Sequence, residues 1–281
     1  MPSRDAPGRR ADRAEAAELL AKRHPSVRWR GTVLYPTLLV CLFLGGQAVL
    51  GLLGVPLQHQ AALAALPALA ALLLSLPPRL RRVWGSREPW RELGVRGTVP
   101  LVAGALWRGV GQAILLLALV TACLGLAAEL RWQPRLSLEL LLNGLLLGLG
   151  VGFAEELLFR GWLQGELALL LGSRRALWLQ AVVFSLVHCR FNLPAGLLLA
   201  LLAGLLLLGL ALGLQRRADG GLLWGAIGLH GGLVGGWLLL SQGLVVLKAN
   251  APDWLIGPAN PIGSVPGFLV LGLLILARLR R

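Results

Sequence analysis

Charge is scarce in this chain. Lys, Arg, Asp and Glu together make 14% of its 281 residues, while apolar residues make 56%. That balance excludes an ordinary soluble domain, which needs more polar side chains to cover its surface. Cysteine is sparse too: Cys41, Cys123 and Cys189 show no CxxC spacing and fall in or beside apolar segments. The spacing argues against a disulfide framework or a structural zinc site, and buried free thiols are expected. Acidic residues are the rarer charge, 13 against 27 basic, for a net charge of +14. The basic residues sit at the ends of apolar segments, so they read as topology signals and as contacts to anionic lipid head groups, and no nucleic-acid partner is expected. The zinc-protease motif HExxH is absent, as is the GxSG of serine-type intramembrane proteases, and no repeat recurs at a fixed period.

What the chain has instead is apolar sequence, with a mean hydropathy of +0.72. Residues 1–30 form a polar, arginine-rich arm without the apolar core or cleavage site of a signal peptide, and within it residues 12–23 suit a short helix. Residues 31–281 read as one membrane domain. Apolar segments cover about 31–54, 57–76, 109–130, 138–159, 176–191, 195–214, 222–245 and 265–279. Each is close to the roughly 20 residues a transmembrane helix needs. The expectation is an all-α, polytopic transmembrane helical bundle of about eight spans. Arginines crowd alternate loops: Arg79, Arg81, Arg82, Arg87, Arg91 and Arg96, then Arg174 and Arg175, then Arg216 and Arg217, then Arg278, Arg280 and Arg281. The opposite loops hold only Arg131, Arg135, Arg190 and Lys248. By the positive-inside rule this bias predicts cytoplasmic N and C termini and an even number of spans.

One apolar segment carries two adjacent carboxylates, Glu155 and Glu156, followed by Arg160. A charge at the bilayer centre costs roughly 2.5–3.5 kcal/mol on insertion scales, so intramembrane glutamates mark a functional site by default. Glu156 and Arg160 are four residues apart and lie on one helix face, where they can pair. Glu155 points about 100° away and is left to react. The residues alone also allow a structural ion pair or an acid cluster at the rim, where Glu166 and Arg174 show charges are common.

Of four histidines, His24 lies in the arm, His59 in a loop, and His188 and His230 within apolar segments. Two imidazoles on different spans can bind metal or hold a water. Phe184 and Asn192 flank His188 at four-residue spacing; Asn192 suits orienting the imidazole or a water, or capping before Pro194. Gly144, Gly148 and Gly152 repeat every four residues on the glutamate segment, and Gly228, Gly232 and Gly236 do so around His230. Such stripes let backbones approach closely, which predicts that the two segments bring Glu155, His188 and His230 into one cavity.

The ordered set Glu155-Glu156-Leu157-Leu158-Phe159-Arg160, Phe184-Ser185-Leu186-Val187-His188 and a later His230 in a glycine-rich segment resembles the CPBP family, the type II CAAX prenyl endopeptidases (Rce1-like) and their bacterial relatives, also called the Abi family. The likeness covers roughly residues 97–245, a protease-like core. It departs at Val234, where the family often carries Asn or another polar residue four positions after the histidine.

The resemblance implies an intramembrane endopeptidase acting on a membrane protein or lipidated peptide. Glu155 would be the base that activates water, His188 and His230 would position that water or polarise the scissile carbonyl, and Glu156 and Arg160 would hold the geometry. A carboxyl in a low-dielectric cavity suits acid–base work near neutral pH. The position of Glu155 predicts a hydrated cavity open to the cytoplasmic side. Glu155, His188 and His230 could also complete a divalent-metal site such as zinc, which would make the enzyme a metalloendopeptidase; the sequence leaves that open. Two other readings stay in view: a non-catalytic scaffold or chaperone on the same fold, and a proton-coupled transporter, since intramembrane Glu and His also build proton relays.

Overall fold

The computed structural model describes residues 26–248, 250–257 and 260–280. The helix expected over residues 12–23, His24 and most of the arm lie outside them. The chain divides into two compact units, Met1–Pro89 and Trp90–Arg281.

The first unit is a helical hairpin, α1 (Trp29–Leu52) and α2 (Leu57–Val83). Tyr35 Oη lies 2.7 Å from Ser75 Oγ, and the Arg79 guanidinium sits 4.7 Å over the Tyr35 ring. Pro36, Pro67, Pro77 and Pro78 all lie within these helices, as prolines do in lipid-embedded helices whose freed carbonyls find other donors. His59 sits in the first turn of α2 rather than in a loop.

The second unit begins with α3 (Val99–Leu126) and a short strand β1 (Leu130–Trp132), followed by α4 (Leu138–Glu155). Ser137 caps α4 by accepting from the Leu140 N–H at 3.1 Å. A π-helical stretch, Glu156–Leu163, leads without a break into α5 (Gln164–Leu171). Then come α6 (Ser173–Val187), α7 (Ala195–Ala218), α8 (Trp224–Leu239), a π-turn, β2 (Val245–Leu247) and α9 (Val265–Leu279). β1 and β2 pair antiparallel, with Leu130 opposite Leu247.

Every predicted apolar segment is helical, but the helices differ in reach. Among the described residues five are long and apolar enough to cross a membrane: α1, α2, α3, the continuous run Leu138–Leu171, and α7. The 15-residue helices α6 and α9 measure only about 22 Å at 1.5 Å per residue, short of the roughly 30 Å hydrocarbon core. Exposed apolar side chains such as Leu115, Leu145, Leu146 and Leu199 cover the surface, as a lipid-facing protein requires. The cysteines are free, yet Cys41 and Cys123 are exposed and Cys189 is half-buried, so the expected burial inside the protein is not met. The apolar solvent these thiols need is lipid.

The buried centre of this unit is α8, which packs against α3, α4 and α7. Two glycine faces make that possible. A Cβ on Gly148 would meet the Gly231 carbonyl oxygen at 2.6 Å, and one on Gly232 would meet the Ala113 side chain at 2.6 Å. The stripe Gly144, Gly148, Gly152 therefore faces Gly231 and Gly235, while Gly228, Gly232 and Gly236 face α3. The two stripes singled out in the sequence do not meet each other. A helix wedged between two neighbours needs small residues on two faces.

The two ends of this unit differ. One end gathers cations: Arg108 pairs with Asp219 at 2.8 Å, Arg217 donates to the Ser173 carbonyl beside Arg174 and Arg175, and Arg278 donates to Gln215. The other end carries the β1–β2 pair with Arg131, Arg135 and Lys248.

Candidate active site

The helix carrying Glu155 and Glu156 changes character between them. Glu155 is the last α-helical residue and Glu156 the first of the π-helix. A π-helical stretch inside an α-helix frequently marks a functional site. The two carboxylates face different surroundings. Glu156 and Arg160 are both completely buried, and Arg160 Nη1 donates to Glu156 Oε1 at 2.8 Å. The same oxygen lies 2.8 Å from His230 Nδ1. Because the carboxylate oxygen accepts, His230 carries its proton on Nδ1, and Nε2 is left for other contacts.

Glu155 is turned the other way. Its Oε2 approaches His188 Nε2 to 3.5 Å, with the two side chains 27% and 33% exposed, so this pair is reachable where the first is not. Glu155 Oε2 has no hydrogen-bond partner among the described residues. His188 Nδ1 lies 2.7 Å from the Phe184 carbonyl oxygen. A carbonyl only accepts, so Nδ1 carries the proton and a neutral ring turns the lone pair of Nε2 toward Glu155.

Phe184 joins the two halves. It is fully buried, its ring contacts those of His188 and His230 at 4.7 and 5.8 Å, and Arg160 lies 4.1 Å over its face. Behind Arg160, Trp162 Nε1 donates to Glu166 Oε2 at 2.7 Å with both residues fully buried. Glu166, read in the sequence as a rim charge, is thus an interior acceptor. The tryptophan four residues before it was the available signal.

A cavity of about 470 Å³ joins Glu155, His188 and His230. Its wall is mostly apolar, from Leu116, Val120, Leu147, Leu205, Trp237 and similar residues, and Ser241, Gln242, Asn260 and Arg190 add polar atoms. Asn192 does not take part. α6 ends at Val187, so the four-residue spacing no longer places Asn192 on a shared helix face with His188; it is exposed and outside the cavity wall.

Residues 137–235 match the family model described as type II CAAX prenyl endopeptidase Rce1-like. The chain carries an Rce1-like segment. No curated protein and no solved structure matches. The Rce1-like segment contains Glu155, Glu156, Arg160, Phe184, His188, His230 and Val234, and the last of these lines the cavity. The segment is narrower than the 97–245 core read from the motifs. The wall it leaves to other parts of the chain includes Ser241, Gln242 and Asn260, which sequence reasoning missed. No motif spacing connects those three to the glutamates; the packing of α8 on α4, and of α9 on α7 and α3, does.

The exposed wall residues are Leu147, within α4, and Arg190 and Gln242, which belong to the strand-bearing, arginine-poor end of the Trp90–Arg281 unit. The arginine-rich end is closed behind the Rce1-like glutamates. There Arg216 donates to the Glu92 carbonyl at 3.0 Å and to that of Arg160, Leu223 N–H donates to the Gly94 carbonyl at 2.9 Å, and Trp224 Nε1 donates to the Val95 carbonyl at 2.8 Å. Gly94 has a φ of +84°, and a Cβ there would run into the backbone at Gly221. Buried Leu93 and Leu223 complete the plug.

As for a metal, no three His, Cys, Asp or Glu side chains among the described residues stand close enough together to hold one. Glu155, His188 and His230 do not fit an ion as arranged.

Proposed function

We propose that the chain is an intramembrane endopeptidase in which Glu155 takes a proton from a water held beside His188. The observation that carries this reading is the 3.5 Å approach of Glu155 Oε2 to His188 Nε2 in an apolar cavity that His230 also lines. The match of residues 137–235 to an endopeptidase family supports it independently.

In this mechanism a water donates one hydrogen to Glu155 and is oriented by the lone pair of His188 Nε2. Its oxygen attacks the carbonyl carbon of the scissile peptide bond as its proton passes to Glu155. Glu155 then returns that proton to the leaving nitrogen as the C–N bond breaks. His230 supplies the second imidazole; with Nδ1 donating to Glu156, a proton on Nε2 as well lets it donate to the carbonyl oxygen. Glu156 and Arg160 form a mutually neutralising pair that fixes His230 by its Nδ1 hydrogen bond. The apolar wall excludes bulk water, which strengthens each of these interactions. It also suits a hydrophobic stretch of peptide or an attached lipid chain as substrate.

All eight apolar helices are embedded in this reading, the short ones in contact with neighbours rather than crossing alone. The arginine-rich end and both termini face the cytoplasm, where the arginines meet anionic head groups.

The test is cleavage of internally quenched peptides, with and without a lipidated cysteine, by the purified protein in detergent. Wild type cuts and Glu155→Gln does not, while the thermal midpoints agree. Cleavage by Glu155→Gln at the wild-type rate sinks the reading. A chelator arm reads metal dependence.

A further inference from the structure

Among the cavity-lining residues Arg190 is the one Arg or Lys. It sits two residues beyond His188, in the turn between α6 and α7, at the end of the unit poor in cations. Its side chain is exposed, and among the described residues it has no hydrogen-bond or ion-pair partner. The other arginines in contact with site elements are committed. Arg160 is tied to Glu156, Arg216 to backbone carbonyls, and Arg108 to Asp219. Glu155 is the one carboxylate lining the cavity, and its close neighbour is His188.

An unpaired guanidinium in the wall of an apolar cavity is an anion receptor. Its planar fork matches a carboxylate with two parallel hydrogen bonds, and low-dielectric walls strengthen the attraction. Arg190 is also close to the reacting groups. Two residues of extended chain span at most about 7 Å between their Cα atoms, and Arg190 lines the same cavity as Glu155 and His188. The apolar wall and this single cation divide the recognition of substrate between hydrophobic body and anionic end.

We propose that Arg190 is a specificity-determining residue that binds a carboxylate of the substrate peptide, placed near the bond presented to Glu155. This rests on the hydrolytic reading of the site but is tested apart from it. The carboxylate comes either from the chain terminus or from an Asp or Glu side chain.

The experiment measures binding, which requires no turnover. Fluorescently labelled lipidated-cysteine peptides of one sequence are prepared as the free C-terminal acid, as the C-terminal amide, and as the amide with Glu added near the end. Affinities are measured by anisotropy for the full chain in detergent, with Arg190, Arg190→Gln or Arg190→Lys, each in a Glu155→Gln background to prevent cleavage. The protein with Arg190 binds the acid about tenfold more tightly than the amide, the range expected of a hydrogen-bonded charge pair. Arg190→Gln brings the two within about twofold, and Arg190→Lys keeps part of the preference. Recovery with the Glu-bearing amide assigns the carboxylate to a side chain; no recovery assigns it to the terminus. Equal affinities with Arg190 present, equal losses for acid and amide in Arg190→Gln, or no binding of any peptide overturns the proposal. A preserved acid preference together with peptide cleavage by Glu155→Gln leaves Arg190 in place and removes the catalytic reading instead.

Discussion

Glu155 and Glu156 are adjacent in sequence and opposite in circumstance. Glu156 is sealed at 0% exposure and shares one oxygen between Arg160 and His230, both at 2.8 Å. Glu155 is 27% exposed and approaches His188 at 3.5 Å. One carboxylate has its charge answered by a fixed cation and is part of the architecture. The other stands where a reacting molecule can reach it. A membrane protein can hold two carboxylates at one depth because they do different work: the first neutralises a buried arginine, and the second faces a cavity rather than lipid.

That contrast can be broken from either side. The largest effect is expected from Arg160→Ala, which leaves the buried Glu156 carboxylate without its arginine and with the His230 hydrogen bond alone. Removing one partner of a buried pair costs about 3–5 kcal/mol, so the variant fails to yield a monodisperse folded protein, or melts far below wild type in a detergent thermal-shift measurement. A wild-type melting curve would deny the structural half its role. Next comes Glu155→Gln, which tests the reactive half. Loss of a general base lowers kcat by about 10²–10⁴-fold, with KM and the thermal midpoint nearly unchanged. If stability falls as it does for Arg160→Ala, the division of labour between the carboxylates is wrong.

A smaller effect sharpens the boundary of the sealed half. Trp162→Phe removes the indole donor of Glu166, a buried acceptor. The cost expected is about 1–3 kcal/mol, read as a lowered midpoint with the peptide discrimination intact. The smallest is Ser137→Ala, which deletes the cap of the helix that carries the pair. It should cost about 1 kcal/mol and alter neither cleavage nor specificity. A change in specificity there would mean that the start of α4 communicates with the cavity.

Much of the candidate site was legible because it is encoded at short range. Glu156 and Arg160 are one helical turn apart, and so are Phe184 and His188. A four-residue spacing fixes a shared face whatever surrounds it, provided the helix continues. Asn192 shows the limit: it has the same spacing from His188, but α6 ends at Val187, and the inference from periodicity ended with the helix. The glycine stripes were visible too, yet their partners were not. Only packing shows that Gly148 meets Gly231 while Gly232 meets Ala113. Apolar segments were equally plain, but five of the helices have the length and hydropathy to cross a membrane, because apolarity alone does not set where a helix stops.

What the sequence by itself determined is the solvent and the chemical cast. Fourteen per cent charged residues and long apolar runs dictate lipid surroundings, and two glutamates, an arginine and two histidines within apolar segments mark the candidate groups. These follow from composition and from the 3.6-residue turn, which are local properties. Tertiary structure decided which carboxylate is sealed and which is reachable, and that Arg190, Gln242 and Asn260 share a wall with His230. Burial and access depend on chain segments far apart in sequence. The hydrogen bonds from Arg216, Leu223 and Trp224 that close the arginine-rich end go to carbonyl oxygens, and a carbonyl leaves no mark in the identity of the residue that carries it.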